Sequence, residues 1–223
     1  MLQKLYYWFH NITSKPEERG EYSSGKWQEE VRQQALNLSN IEEGALLEVG
    51  CGEGLFLIKA AQTHTHLNIR GIDRWQEILD KTQKKIDEGH LENIQLTHAD
   101  GTHIPFDDSS FDVIVCINVF FNLPTDEIFH QVLQEISRVC KPGGKIIFDI
   151  RNSSNPLLNI KYKLAKYYDE TVKDLPLRTY SLKEVENLLQ KYHWHINKEV
   201  PVSFPKNKWS PIFVIEAGKL EDL

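Results

Sequence analysis

Five short runs of apolar and β-branched residues, at 45–49, 68–72, 94–98, 113–118 and 145–150, are each bounded by Gly, Asp or Asn. Runs of that length with apolar residues at successive positions predict strands buried on both faces. Between them the spacing changes to that of helices. Trp27, Val31, Ala35 and Leu38 recur every three or four residues before the first run, and Ile128, Val132, Ile136 and Val139 do so before Pro142-Gly143-Gly144, which reads as a helix stop. Alternating strands and helices predict an α/β fold around a parallel sheet.

The last third has a different rhythm. Ser181 and Glu184 have capping-box spacing and open a helix reaching about Tyr192. Runs at 196–204 and 212–217 then follow with only a short, Pro-bounded connection, which permits an antiparallel hairpin and no parallel crossover. Residues 155–177 are too many for an ordinary connection of ~2–6 residues, so they predict an extra helical element, a cap insertion. No repeat or low-complexity linker divides the chain. The expectation is one domain over 1–223, with an N-terminal helical lid (1–40), a core (41–150), the cap insertion (151–180) and a C-terminal helix and β-hairpin (181–223).

Composition narrows the chemistry. The 223 residues carry 26 Lys+Arg against 32 Asp+Glu, a net charge of −6. With no basic run longer than Lys84-Lys85, the footprint of a nucleic-acid binder is missing, and a small-molecule partner is favoured. Three scattered cysteines, Cys51, Cys116 and Cys140, make neither a disulfide framework nor a zinc site, so no metal and a reducing, cytoplasmic location are expected. No apolar stretch nears the ~18 residues that span a bilayer, and no signal-peptide pattern opens the chain, so no membrane partner is expected.

The most informative segment is Glu48-Val49-Gly50-Cys51-Gly52-Glu53-Gly54, where a strand runs into three glycines at two-residue spacing and then into a helix. Lacking Cβ, glycine lets a ligand approach the backbone closely, with the loop's N–H groups expected to point outward. Gly71-Ile72-Asp73 closes the second strand, where an acid can accept hydrogen bonds from both hydroxyls of a ribose. His98-Ala99-Asp100-Gly101 closes the third. Either Asp alone would also suit a turn; their joint spacing argues for a ligand.

With the 111–118 strand and the Lys141-Pro142-Gly143-Gly144 approach to the fifth, these motifs resemble, in order over residues 45–150, the class I S-adenosylmethionine-dependent methyltransferases. The spacing departs from the Gly-x-Gly-x-x-Gly of dinucleotide-binding folds. The resemblance implies a Rossmann-like, doubly wound seven-stranded sheet, with five parallel strands, a C-terminal antiparallel hairpin and helices on both faces. It implies S-adenosyl-L-methionine as cofactor and S-adenosyl-L-homocysteine as product. The implied cofactor residues are Glu48, Gly50, Cys51, Gly52, Gly54, Asp73, Arg74, Asp100, Gly101, Asn118 and Val119, with Asp100 on the exocyclic amine of adenine.

A sulfonium methyl group is already activated, so an enzyme mainly has to align the acceptor with the C–S bond and exclude water. A base is needed only for a hydroxyl acceptor. Candidate acceptor-side residues are Tyr6, His10 and Tyr22 near the N-terminus, and Arg151, Asn152, Tyr162 and Arg178 around the cap insertion. The Tyr- and Trp-rich stretches 6–27 and 155–178 are expected to meet over the pocket as a lid. His64, His66, His90, His193 and His195 are read as solvated, His98 as packing near the pocket, and Cys51 as structural. Asn118-Val119-Phe120-Phe121 lacks the Asn/Asp-Pro-Pro-Tyr/Phe pattern of enzymes acting on base or glutamine amines, and no cysteine follows a proline as in cytosine-C5 enzymes. What remains is O-, N-, S- or C-methylation of a small molecule. The competing readings are a non-catalytic cofactor-binding or partner-regulating module and, more weakly, a nucleotide-dependent dehydrogenase.

Overall fold

Apolar side chains on both sides of a strand require cover on both sides of a sheet, and the chain supplies it. The computed structural model describes residues 25–168 and 176–220. In chain order the elements are α1 (Lys26–Leu38), β1 (Ala45–Val49), α2 (Leu55–Thr63), β2 (Asn68–Asp73), α3 (Gln76–Glu88), β3 (Ile94–His98), β4 (Phe111–Cys116), a 3-10 turn (Phe120–Asn122), α4 (Asp126–Val139), β5 (Cys140–Arg151), α5 (Pro156–Tyr168), α6 (Leu182–Gln190), β6 (Trp194–Val202) and β7 (Ile212–Lys219). The seven strands form one sheet in the order β3-β2-β1-β4-β5-β7-β6. β1 to β5 pair in parallel, and β7 runs antiparallel to both β5 and β6. The expected doubly wound architecture is present.

Neighbouring residues on one strand feed opposite cores. Leu46, Val113, Ile147 and Val214 pack with Val31 and Ala35 of α1, Phe56 and Leu57 of α2, and Leu79 and Ile86 of α3. Leu47, Ile114, Ile146 and Ile215 face the other way, onto Phe129, Val132 and Ile136 of α4 and Val185 and Leu189 of α6. Ser181 and Glu184 form the expected capping box on α6, and Thr125 caps α4 by accepting from the Ile128 amide.

Three boundaries differ from expectation. β4 stops at Cys116 rather than continuing to 118, because Asn118 adopts φ 60° and turns the chain out of the sheet. Pro142-Gly143-Gly144 follows the end of α4 at Val139, as a helix stop should, but lies inside β5, whose expected start is residue 145. β5 begins directly at Cys140, and these residues form a bulge in which two steps along β4 (Phe111 to Val113) face five along β5 (Cys140 to Lys145). Proline lacks an N–H for the ladder and Gly143 has φ 73°, so a bulge suits both. β6 lies two residues earlier than 196–204, with Trp194 fully buried at its start. The cap insertion does contain a helix, α5. The lid expected over 1–40 divides: α1 is part of the core, whereas residues 1–24 lie outside the described residues. Among the described residues no helix is long and apolar enough to cross a membrane.

Candidate active site

β1 delivers Glu48 and Val49 to the glycine loop, whose amides are committed to the fold. Gly50 and Cys51 both donate to the Ile72 carbonyl (2.8 and 2.9 Å), and Gly54 donates to the Cys51 carbonyl (2.9 Å). Gly52 N–H donates to Asp73 Oδ2 (2.9 Å). The expectation of outward-pointing amides is therefore wrong for these four, and the glycines answer to space instead. A Cβ on Gly50 would lie 2.6 Å from Val119 Cγ2, and one on Gly54 2.5 Å from Thr82 Cγ2. A Cβ on Gly52 (φ +48°) would meet nothing within 4 Å. Thr82 Oγ1 donates to the Gly52 carbonyl (2.8 Å), so α3 holds from behind the one glycine that faces open space.

That space is a cavity of about 700 Å3 at the carboxyl ends of β1 to β4, where the strand order reverses. Open α/β sheets place ligands at such a switch point. Its wall is polar at Arg32, Glu48, Asp73 and Asp100 and apolar at Leu123, Pro124, Ile128, Val132 and Pro176. Glu48 is 3% exposed, and its Oε2 has no hydrogen-bond partner. Burial pushes its pKa well above 4.5, with the Asp73 charge adding to the rise and Arg32 and the Leu57 amide opposing it. A buried carboxylate oxygen left open beside a cavity is matched to an ammonium group. Asp73 caps its own turn, with Oδ1 accepting from the Trp75 amide (3.0 Å), yet it also borders the cavity. Since each carboxylate oxygen has two acceptor positions, capping leaves room for hydroxyls.

Asp100 behaves similarly. Its Oδ1 accepts from the Thr102 amide and hydroxyl (both 2.9 Å), and the Thr102 amide is the main reason its pKa is lowered. Arg138 pins this loop to α4 by donating to the Ile104 and Phe106 carbonyls (2.8 Å each). Gly101 sits in a tight spot, since a Cβ there would come within 3.3 Å of Val49 Cγ1. Arg74 is exposed at the rim, its guanidinium 4.8 Å from the Trp75 ring centroid.

Beneath the apolar wall lies a buried ionic network. Asn118 N–H donates to Asp149 Oδ1 (2.5 Å), and Asn118 Oδ1 accepts from Arg151 Nη2 (2.9 Å). Arg151 pairs with Asp149 through Nη1, donates to the Tyr162 hydroxyl from Nε (3.1 Å) and lies 4.0 Å from the Phe121 ring centroid. Asp149 is 0% exposed and Arg151 4%. The left-handed Asn118 and the neighbouring Val119 border the cavity because this network holds them there.

The acceptor-side candidates divide accordingly. Arg151 and Tyr162 reach the cavity only through Asn118. Asn152 is a strut, donating to the Lys208 and Ser210 carbonyls (3.0 and 2.8 Å). Arg178 pairs with Asp126 and donates to the Pro124 carbonyl (3.1 Å), holding the segment after Pro176 against the start of α4. Tyr6, His10 and Tyr22 lie outside the described residues. Cys51 is buried and its thiol is pushed well up by that burial, then by the Glu48 and Asp73 charges, which suits packing rather than attack. His64 is buried rather than solvated, with its pKa lowered mainly by burial. His98 is exposed, its Nε2 3.0 Å from the Arg74 carbonyl, and does not border the cavity. Sequence reading missed Arg32, Trp75, Ile78, Ile128, Val132 and Pro176. Arg32 did leave a signal: it stands three residues before Ala35 on the buried side of α1, where an arginine needs a polar reason.

A family model described as a methyltransferase domain matches residues 47–148. The chain is 27% identical over 219 residues to a demethylmenaquinone methyltransferase of Shouchella clausii, covering 97% of this chain and 88% of that protein. It is 30% identical over 151 residues to a phosphatidylethanolamine N-methyltransferase of Cereibacter sphaeroides, 66% of this chain and 71% of that protein. The fold is similar to that of the magnesium protoporphyrin IX methyltransferase of Synechocystis, solved with bound S-adenosylhomocysteine, with a TM-score of 0.68, 14% identity and coverage of 97% and 94%.

Proposed function

The chain belongs to the class I S-adenosylmethionine-dependent methyltransferases, and from that premise we propose that it methylates a small molecule with an apolar body by direct in-line displacement. S-Adenosylmethionine is the cofactor, and what it supplies is a methyl group on a positively charged sulfur. The chain fits it in three respects: the unpartnered Glu48 oxygen suits the ammonium group, Asp73 suits the ribose hydroxyls, and the space over Gly52 suits the methionine portion. Asp100, Trp75 and Ile78 then form the adenine side.

The rest of the wall acts on the acceptor. Leu123, Pro124, Ile128 and Val132 exclude water and enclose an apolar body, which lowers the local dielectric where charge is lost as the methyl group moves. Asn118 and Val119, held by Arg151 and Asp149, fix the boundary between the cofactor side and the acceptor side. Glu48, Asp73 and Asp100 serve the cofactor in this reading, so we take the nucleophile to be a neutral amine, a thiol, an activated carbon or an acidic hydroxyl, which ask least of a base. The observation that carries the proposal is that one and the same cavity has Glu48 and Asp73 on one part of its wall and an aliphatic surface on another. The two relatives named for demethylmenaquinone and phosphatidylethanolamine, acceptors with long apolar portions, support it. We also read residues 1–223 as one catalytic unit, with 151–180 as its cap.

The test is incubation with methyl-labelled cofactor and a panel of quinols, aminolipids and smaller amines and phenols, following S-adenosylhomocysteine release and labelled product. Transfer to an amphipathic member is expected. Transfer only to small hydrophilic acceptors would refute the apolar acceptor, and cofactor binding with no transfer to any member would favour a non-catalytic module.

A further inference from the structure

The outward side of α5 is apolar where a soluble helix is normally polar. Leu157, Ile160, Leu164 and Tyr167 are 75%, 55%, 50% and 77% exposed. Their spacing of three, four and three residues aligns them in one stripe, opposite the buried Leu158 and Ala165. The exposed Lys161 and Lys163 lie on the two sides of that stripe. The 203–209 loop is tied to the start of α5, since Asn155 Nδ2 donates to the Trp209 carbonyl (2.6 Å), and it adds Phe204 and Trp209, 89% and 47% exposed.

Charge separates this surface from the rest of the molecule. Residues 156–168 contain three lysines and no acid, and residues 203–209 contain two lysines and no acid, on a chain whose net charge is −6. Lys206 is paired with Glu30 (2.7 Å), and Lys161 lies over the Trp27 ring (4.2 Å), so part of this charge is balanced locally. An exposed apolar stripe flanked by lysines, with Trp and Phe at its end, is the pattern of a helix that lies in a lipid interface, the ammonium groups reaching the headgroups and the apolar side chains entering the acyl boundary.

We propose that the outer face of α5 and the 203–209 loop bind the surface of an anionic bilayer. This departs from the expectation of no membrane partner, which rested on the lack of a spanning stretch; lying on a membrane needs none. It stands apart from the acceptor reading, since a catalytically silent chain would bind vesicles equally. The inner side of the same helix meets Arg151 through Tyr162, so a membrane-bound protein would hold its cavity close to the lipid.

The experiment is co-sedimentation of the full chain with phosphatidylcholine vesicles prepared with and without phosphatidylglycerol. Binding at least about tenfold stronger to the anionic vesicles is expected, falling as salt is raised. Leu157→Glu/Leu164→Glu should weaken it about tenfold or more, and Lys163→Gln/Lys208→Gln roughly 10–30-fold on anionic vesicles only. Circular dichroism and S-adenosylhomocysteine affinity should be unchanged in both variants. The proposal is overturned if the full chain binds neither vesicle, or if both double variants bind as wild type does. It is equally overturned if Leu157→Glu/Leu164→Glu dissociates a dimer that shows no lipid binding, or if binding appears only after residues 1–24 are removed, which would make that segment the stripe's occupant.

Discussion

Gly50 and Gly52 stand two residues apart in one loop, yet substitution should act on them differently. Gly50→Ala carries the cost of φ +76° and in addition drives a Cβ to 2.6 Å from Val119, so packing adds to strain and a clearly lowered urea midpoint of unfolding is expected. Gly52→Ala meets only open space and the conformational cost of φ +48°, about 1–2 kcal/mol. Equal destabilisation with equal loss of cofactor affinity would contradict this division. Glu48 offers a pH test. Its folded pKa lies above the 4.5 of an ordinary glutamic acid, so the native chain keeps a proton that the unfolded chain releases. Its contribution is most favourable below about pH 4.5 and is lost as pH rises through the window up to the folded pKa. Glu48→Gln should flatten that slope in the ligand-free protein, as read from urea midpoints across pH; parallel pH profiles would remove Glu48 from the account. At this scale the acids at strand ends were legible, because turn and ligand chemistry both favour Asp there. Arg32 was legible only as a buried arginine on α1: its ion pair with Glu29 (3.1 Å) is local, whereas its place beside Glu48 at the cavity comes from folding.

Asn118 is placed by β5 and α5 together. Arg151→Met would leave Asp149 buried without its cation, a loss of about 3–5 kcal/mol in unfolding free energy. Because Asn118 Oδ1 also loses its donor, cofactor affinity should fall in the molecules that remain folded. A variant as stable as wild type would show that the ion pair does not hold this corner. The end of β4 illustrates what the hydrophobic pattern leaves open. Ile117 is apolar and buried, so periodicity extends the strand, whereas the turn is decided by a hydrogen bond from the Asn118 N–H to Asp149, 31 residues away. Likewise Pro142-Gly143-Gly144 marked the end of α4 correctly, but whether such residues make a loop or a bulge depends on the strand beside them.

Across the whole molecule, the order β3-β2-β1-β4-β5-β7-β6 puts the cavity where β1 and β4 diverge, and ordered motifs along residues 45–150 were enough to anticipate that position. The acceptor side was not legible, because Pro124, Ile128 and Pro176 carry no chemical signature and converge only through folding. A ligand seated in this cavity should stabilise the entire fold. At a concentration 100 times its dissociation constant the gain is about 2.7 kcal/mol, which for a chain of this size raises Tm by roughly 5–11 °C. An unchanged Tm under saturating S-adenosylhomocysteine would exclude selective binding to the folded state. The most direct measurement is calorimetric titration of S-adenosylhomocysteine into the wild type and Gly52→Val side by side, with circular dichroism confirming that the variant is folded. The expected result is saturable binding of one molecule per chain by the wild type and none by the variant, whose side chain fills the space above the loop. No binding by the wild type at millimolar concentration, or equal affinity in both proteins, would contradict the assignment of this cavity.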